Sequence, residues 1–243
     1  MRELLKSFLL RAGALCNCRD SRVIYYHDVF EKTRYTDMGT PLSIFQNHIK
    51  IASEMGFHFV DEITSPKRQL QICFDDGFRG IWDTREYFYH NGLRPTVFVP
   101  ICLIGREGYL NKNEILELQE RGFVFQGHSW NHDNLPHYNK VELRHELWDA
   151  KVELENLLGK EVDSICFPQG YFSDQVILSA LEAGYRKLYS SLPGAWFDQI
   201  GQGNLSFLKP RSFVQGVSLR DFCSIIQGGD KLLRTFRIRK HYQ

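Results

Sequence analysis

Apolar stretches of strand length alternate along the chain with segments in which apolar residues recur at helical spacing. The predicted strands are residues 22–27, 57–60, 70–74, 96–99, 123–125, 164–167, 187–190 and 208–214. The predicted helices are residues 42–55, 81–89, 113–119, 141–158 and 174–183. Strands that alternate with helices are typical of a mostly parallel sheet. We therefore predict an α/β fold, a distorted and incomplete (β/α) barrel with about seven parallel strands in a single domain.

The sequence contains no internal repeat, low-complexity tract or linker that would mark a second domain. We predict an amphipathic N-terminal segment at 1–21, the barrel domain at 22–226 and a basic tail at 227–243. In the first segment one helical face carries Leu4, Leu5, Phe8, Leu9 and Ala12. Its apolar run is too short for a secretory signal, and no run approaches the ~20 apolar residues of a membrane span.

Net charge and cysteine content exclude some classes of function. The chain of 243 residues carries 30 basic and 29 acidic residues, a net charge of +1, so it lacks the basic field that nucleic-acid binding requires. Cys73, Cys102 and Cys166 lie in or beside apolar strands and are predicted to be buried thiols of a protein from a reducing compartment. Cys16-Asn17-Cys18 has no second cysteine pair to complete a metal site. We expect a cytoplasmic protein.

Basic residues interleaved with apolar ones occur at both chain ends. This pattern suggests peripheral contact with an anionic membrane surface, at the inner face of the cell membrane. The alternative is that both ends are solvated helices that pack on the barrel. No protein partner is predicted.

Polar residues that could act in catalysis or bind a metal follow several predicted strands. Asp75 and Asp76 come directly after strand 70–74, and neighbouring carboxylates repel unless solvent or a cation separates them. His128 and His132 follow strand 123–125 with the four-residue spacing that lets two imidazoles face one way. Two histidines and one carboxylate suit a catalytic metal that keeps one position open. The alternatives are an ordinary acidic turn and a solvated polar loop.

These residues resemble two motifs of the polysaccharide deacetylases, the family 4 carbohydrate esterases with a chitooligosaccharide-deacetylase homology domain. The family motif Thr-Phe-Asp-Asp-Gly is matched by Cys-Phe-Asp-Asp-Gly at 73–77, and His-Ser/Thr-x-x-His by His-Ser-Trp-Asn-His at 128–132. The resemblance extends over roughly residues 23–222. It implies that Asp75 is the general base and that Asp76, His128 and His132 hold a divalent metal. Zinc is the expected metal, and the ligand set also suits cobalt, nickel or iron.

The third family motif, often Arg-x-Pro-Tyr-Gly, is altered here. Cys166 stands in place of its arginine and Gln169 in place of its tyrosine. The backbone N–H of Gln169 can still donate to an oxyanion, because that role needs no particular side chain. Tyr-His at 26–27 and Pro-Arg at 210–211 resemble the poly-N-acetylglucosamine deacetylase branch. This resemblance implies that His27 is the general acid and that Arg211 replaces the missing arginine as the partner of Asp75.

The resemblance implies a metal-dependent hydrolase that removes N-acetyl groups from an acetylated glycan or lipid-linked sugar in envelope or exopolysaccharide metabolism. An O-acetyl esterase acting on a glycan is one alternative, since the same chemistry serves an ester. A carbohydrate-binding homologue with an impaired site is another, suggested by the altered third motif. Four aromatic residues in the predicted loops are candidates for stacking on sugar rings: Trp130, Tyr171, Phe172 and Trp196.

Overall fold

A sheet of nine parallel strands forms the centre of the protein in a computed structural model that describes residues 2–15 and 18–243. The strands of the chain are β1 (Arg22–Tyr26), β2 (Asp28–Phe30), β3 (Gly39–Pro41), β4 (His58–Phe59), β5 (Gln69–Phe74), β6 (Thr96–Val99), β7 (Val124–Gly127), β8 (Ser164–Cys166), β9 (Lys187–Tyr189), β10 (Leu208–Lys209) and β11 (Ser212–Phe213). β2 and β3 pair separately, and the main sheet runs in the order β10-β9-β8-β7-β6-β5-β1-β11 with β4 beside β5.

The two ends of this sheet are neighbours in sequence. Only Pro210 and Arg211 separate β10 at one end from β11 at the other. The sheet therefore curls into an incomplete barrel, as predicted, and its near-closure places Arg211 at the barrel rim. Nine strands are present in place of about seven, in part because the predicted strand 208–214 is split into β10 and β11.

Helices cover the outside of the sheet. They are α1 (Arg2–Ala14), α2 (Leu42–Glu54), α3 (Gly80–Asp83), α4 (Arg85–His90), α5 (Lys112–Glu120), α6 (Lys140–Arg144), α7 (Ala150–Leu158), α8 (Asp174–Glu182), α9 (Leu219–Ile226) and α10 (Arg234–His241). A π-helical turn, His145–Asp149, joins α6 to α7, so the predicted helix 141–158 is confirmed with an irregular turn inside it. It ends as expected at Gly159, whose φ of 63° lies in the left-handed region.

The strand residues are buried on both faces of the sheet. In β1, Val23 and Tyr25 pack inside the barrel, whereas Ile24 and Tyr26 pack against the outer helices. This alternation follows from the two-residue period of a strand. One outer contact involves the fully buried His48, which stacks on Phe222 with ring centroids 4.1 Å apart. Burial lowers the pKa of His48 to about 4.

The N-terminal helix α1 packs on the domain through Leu10 and Gly13. Leu10 is 1% exposed. The backbone of Gly13 lies so close to Gly229 that a Cβ on Gly13 would be 2.6 Å from the carbonyl oxygen of Gly229. Phe8, which lies on the predicted apolar face, is exposed. The close backbone approach of two glycines fixes this contact. The side chains of Leu4 and Leu5, and the Cys16-Asn17 pair, lie outside the described residues.

Within residues 2–15 and 18–243, no helix is both long and apolar enough to cross a membrane. The proposed domain boundaries and the membrane contact of the chain ends stay predictions. The basic segment at the C-terminus includes α10, which packs beside the barrel rim.

Candidate active site

Asp75 and Arg211 form a buried ion pair at the barrel rim. The guanidinium donates from Nη1 to Oδ1 of Asp75 at 2.6 Å and from Nη2 to Oδ2 at 2.8 Å, and neither side chain is accessible beyond a few per cent. Arg211 Nε donates to the carbonyl of Ser190 at 3.1 Å, and its plane lies 4.1 Å from the Tyr25 ring centre. Burial alone would raise the pKa of Asp75, but Arg211 outweighs it and holds the pKa below its usual value.

Cys166 occupies the space beside this pair. Arg211 Nη2 lies 2.8 Å from its Sγ, and the thiol lies 3.8 Å from Asp75 Oδ2. Burial raises the pKa of Cys166 well above its usual value, so the group is a neutral thiol. A small neutral side chain here leaves room for a guanidinium that enters from the β10–β11 connection. The structure thus brings Arg211 to Asp75, as the resemblance implied.

Asp76, His128 and His132 converge on one point. Oδ1 of Asp76 lies 3.2 Å from Nε2 of His128 and 2.9 Å from Nε2 of His132. Nδ1 of His128 donates to the carbonyl of Cys166 at 2.7 Å, so in the neutral ring Nε2 is the nitrogen whose lone pair can bind a metal. Two ring nitrogens and a carboxylate oxygen at these distances can be bridged by one cation.

The unsatisfied Asp76 oxygen supports the same conclusion. Oδ1 of Asp76 is buried and accepts no hydrogen bond of acceptable geometry from the described residues. Two imidazole nitrogens and one carboxylate, all within 4.8 Å of one another, are the donor set of a catalytic zinc or similar divalent ion. The residues therefore fit the implied metal, whose identity they leave open.

A second group with metal-ligand geometry shares His128 with the first and adds Asp75 and Cys166. It is a poorer candidate because both oxygens of Asp75 already accept hydrogen bonds from Arg211, and because the Cys166 thiol is protonated. Nδ1 of His128 is also engaged.

Backbone strain is concentrated at this rim. In the described chain, positive φ angles of non-glycine residues occur at Asp76 (71°), Ser129 (65°), His132 (64°), Gln169 (57°) and Arg68 (62°). Such conformations cost of order 1–3 kcal/mol each and persist where the surrounding structure enforces them. All but Arg68 belong to the three motifs, so the strain marks the site independently of side-chain chemistry.

Glu146 holds the metal-ligand loop and was not identified from the sequence. It lies in the π-helical turn, is 1% exposed, and its Oε2 accepts from the N–H groups of Trp130 and Asn131, each at 3.0 Å. Its Oε1 accepts from the Asn131 side chain at 2.6 Å. These bonds fix the loop between His128 and His132. A π turn often occurs at functional positions, but its sequence looks like ordinary helix.

His27 is oriented by Gln215. Oε1 of Gln215 accepts from the backbone N–H of His27 at 3.1 Å, and Nδ1 of His27 lies 3.0 Å from the same Oε1. Because Oε1 is an acceptor, Nδ1 carries the proton of this hydrogen bond, and Nε2 is the ring nitrogen left for other partners. His27 and Gln169 both line the cleft that contains Asp75 and Asp76. The structure thus brings together all the predicted site residues.

Asp28 ties the acidic motif to the first strand. Its Oδ1 accepts from the N–H of Val29 at 2.9 Å, and the N–H groups of Gly80 and Ile81 at the start of α3 lie close to its carboxylate. Burial raises the pKa of Asp28 to about 8, and these three N–H groups work against that rise. A Cβ on Gly80 would lie 2.2 Å from the carbonyl oxygen of Val29, so only glycine fits there.

The cleft has a volume of about 330 Å³. It is also lined by residues that the sequence did not single out: Tyr25, Met38, Phe167, Gly170, Ser191, Phe213, Arg237, Lys240 and His241. None of the four candidate stacking aromatics is among its described lining residues. Phe172 and Trp196 are buried in the core, Trp130 stacks on His145, and Tyr171 packs against His241. The stacking prediction is wrong for Phe172 and Trp196, because apolar packing buries these rings, and it stays a prediction for Trp130 and Tyr171.

Known proteins with related sequence or fold share this arrangement of elements. The family model described as Polysaccharide deacetylase matches residues 62–188. The chain is 21% identical to the Bacillus subtilis protein YxkH, which carries a polysaccharide deacetylase name, over 71% of this chain and 65% of that protein. The chain thus spans less than two thirds of that relative.

Two solved structures have the same fold. A polysaccharide deacetylase from Bacillus cereus is 20% identical, with a TM-score of 0.73 over 85% of this chain and 69% of that one. IcaB from Ammonifex degensii is 16% identical, with a TM-score of 0.72 over 86% of this chain and 98% of that one. The family model covers both the Asp75-Asp76 and the His128–His132 motifs. The chain belongs to the polysaccharide deacetylase family.

Proposed function

We propose that the protein is a metal-dependent deacetylase that removes N-acetyl groups from the amino sugars of an acetylated glycan in envelope or exopolysaccharide metabolism. The observation that carries this proposal is the juxtaposition at one rim of the Asp75–Arg211 pair and the Asp76, His128 and His132 set. The first is a restrained base and the second is a metal-ligand set. An intact pair and an intact ligand set argue against an impaired carbohydrate-binding homologue.

The residues divide the reaction between them. When bound, a divalent cation polarises the acetyl carbonyl and makes water more acidic. Asp75 accepts a proton from the attacking water, and Arg211 keeps its carboxylate ionised and oriented. The N–H of Gln169 donates to the acetyl oxygen, on which negative charge develops when water adds to the carbonyl carbon. Nε2 of His27 gives a proton to the departing amine, while Gln215 holds the ring.

Acetate release from N-acetylglucosamine oligomers and from an O-acetylated glycan tests the proposal. We expect release from the N-acetyl substrate that depends on added divalent metal. We also expect Asp75→Asn to lower it by about 10²–10⁴-fold, the range of general-base catalysis. Faster release from the O-acetylated glycan would identify an O-acetyl esterase instead. Bound metal without turnover of any acetylated glycan would indicate a binding protein. The cytoplasmic location, with peripheral membrane contact, stays a prediction.

A further inference from the structure

The C-terminal helix α10 forms one wall of the candidate active site. Arg237, Lys240 and His241 line the same cleft as Asp75 and Asp76. The helix thus adds two cationic side chains and an imidazole to the site. The proposed deacetylation mechanism gives none of the three a role.

Both ends of α10 are fixed to the domain. At its start, Arg234 makes an ion pair with Asp198 and donates through Nε to the carbonyl of Pro193 at 2.8 Å. At its end, the carbonyl of His241 accepts from the N–H of Phe172 at 3.0 Å, just beyond the Gln169 turn. The position of the cations beside the site is therefore built into the fold.

Arg237 and Lys240 have no acidic partner among the described residues. The acids that line the cleft are Asp75, which is paired with Arg211, and Asp76, which belongs to the metal-ligand set. Two positive charges consequently face the cleft without compensation. Basic residues in a last helical turn also stabilise the helix dipole, but the exposed Arg239 on the same turn serves that purpose without lining the cleft.

His241 points to a polar ligand independently. It is 4% exposed, and neither ring nitrogen has a hydrogen-bond partner among the described residues. Burial, together with Lys240 and Arg237, lowers the pKa of His241 to about 4, so at neutral pH the ring offers one donor and one acceptor. A buried polar group without a partner is costly. A ligand in the cleft would satisfy it.

We propose that the cleft takes an acetamido sugar that carries a phosphate group, bound by Arg237 and Lys240 with a hydrogen bond from His241. This inference rests on the proposed deacetylation and names its substrate class. A phosphate monoester carries a charge of about −1.5 to −2 near pH 7, which matches two cations, whereas one carboxylate matches only one. Arg237 can bind two phosphate oxygens through its planar group, and Lys240 adds a point charge.

Acetate release from matched substrates tests the inference. The substrates are N-acetylglucosamine 1-phosphate, a short-chain alkyl diphosphate of N-acetylglucosamine, a neutral N-acetylglucosamine oligomer and an N-acetylated oligosaccharide with glucuronate. We expect kcat/KM to be about 10-fold to 100-fold higher for a phosphorylated substrate than for the neutral oligomer, as charge-assisted hydrogen bonds allow. Equal use of both phosphorylated compounds supports a free sugar phosphate. Preference for the alkyl diphosphate supports a lipid-linked sugar.

The double variant Arg237→Gln/Lys240→Gln should lose most of this preference, and Arg239→Gln on the same turn should keep it. If the double variant does not fold, the wild type still provides a test, because the preference should decline with added salt. A neutral or glucuronate substrate used as well as the phosphorylated ones would overturn the inference, as would equal effects of the double variant on all substrates.

Binding separates this inference from the proposed function. Calorimetry compares the affinities of N-acetylglucosamine 1-phosphate and N-acetylglucosamine for the metal-loaded protein. If no substrate releases acetate, the proposed function fails. Tighter binding of the phosphorylated sugar, lost in the double variant, would then still support the phosphate site, and equal binding would overturn it.

Discussion

Replacing Arg211 by methionine removes the charge that restrains Asp75 and keeps an apolar side chain in its place. Arg211 is 0% exposed and Asp75 is 4% exposed, so the substitution leaves a carboxylate buried without a partner. Removal of one member of a buried ion pair costs about 3–5 kcal/mol of unfolding free energy. The pKa of Asp75 should also rise, because burial now acts without the opposing guanidinium.

A double-mutant cycle separates the ion pair from general packing. Urea unfolding is measured for wild type, Arg211→Met, Asp75→Asn and the double variant. Asp75→Asn should destabilise the wild type but restore stability in the Arg211→Met background, with an interaction energy of about 2 kcal/mol or more. Acetate release should fall in all three variants, because restored stability does not restore the base.

Cys166→Ala is the matched control for the same space. It removes the thiol beside Arg211 and leaves both hydrogen bonds to Asp75 in place. We expect Cys166→Ala to keep most of its acetate release. The reasoning is refuted if Arg211→Met costs less than about 1 kcal/mol and retains acetate release, or if Cys166→Ala is as inactive as Arg211→Met.

Three further predictions concern residues around the site. Glu146→Gln should weaken metal binding about 10-fold to 100-fold in a chelator competition, because it releases the ligand loop, whereas the exposed Glu153→Gln on the same helix should not. Gly80→Ala should destabilise the protein by about 1–3 kcal/mol in urea unfolding and lose activity, because its Cβ clashes with the backbone of Val29. Gly92→Ala has open space around it and should cost only about 1 kcal/mol in the same measurement, because of its positive φ. The folded protein keeps His48 neutral down to a pKa of about 4, whereas the unfolded chain protonates it near pH 6.5. The contribution of neutral His48 to stability is therefore complete above pH 6.5, and about 3 kcal/mol of unfolding free energy is lost as the pH falls from 6.5 to 4. His48→Gln should flatten the acid part of the stability curve, and an unchanged curve would contradict this.

Local patterns predicted the fold and the two main motifs well. The strands β1, β5, β6 and β7 are apolar runs bounded by turn residues, and the candidate catalytic and metal-ligating residues follow the ends of β1, β5 and β7. A parallel arrangement brings such ends to one rim, so Asp75 and His128 could be placed together without knowledge of any contact. The assignment of Arg211 to Asp75 needed the family resemblance.

The remaining features depend on contacts between distant segments. Glu146 acts through a π turn that has no sequence signal, and Gln215 reaches His27 across 188 positions in the chain. The basic C-terminal segment suggested a membrane surface, and nothing in its pattern indicated that α10 would line the cleft. Phe172 and Trp196 failed as stacking candidates for a related reason, since a loop position does not show whether a ring is buried in the core.

The proposed function requires that Asp76, His128 and His132 hold a catalytic metal beside the Asp75–Arg211 pair. Anomalous diffraction at the zinc edge, from crystals of zinc-loaded protein, tests it most directly. We predict a single strong peak bonded to Oδ1 of Asp76 and to Nε2 of both histidines, at about 2.0–2.2 Å from each. A peak at another position, or the absence of a peak between these three side chains, would contradict the account.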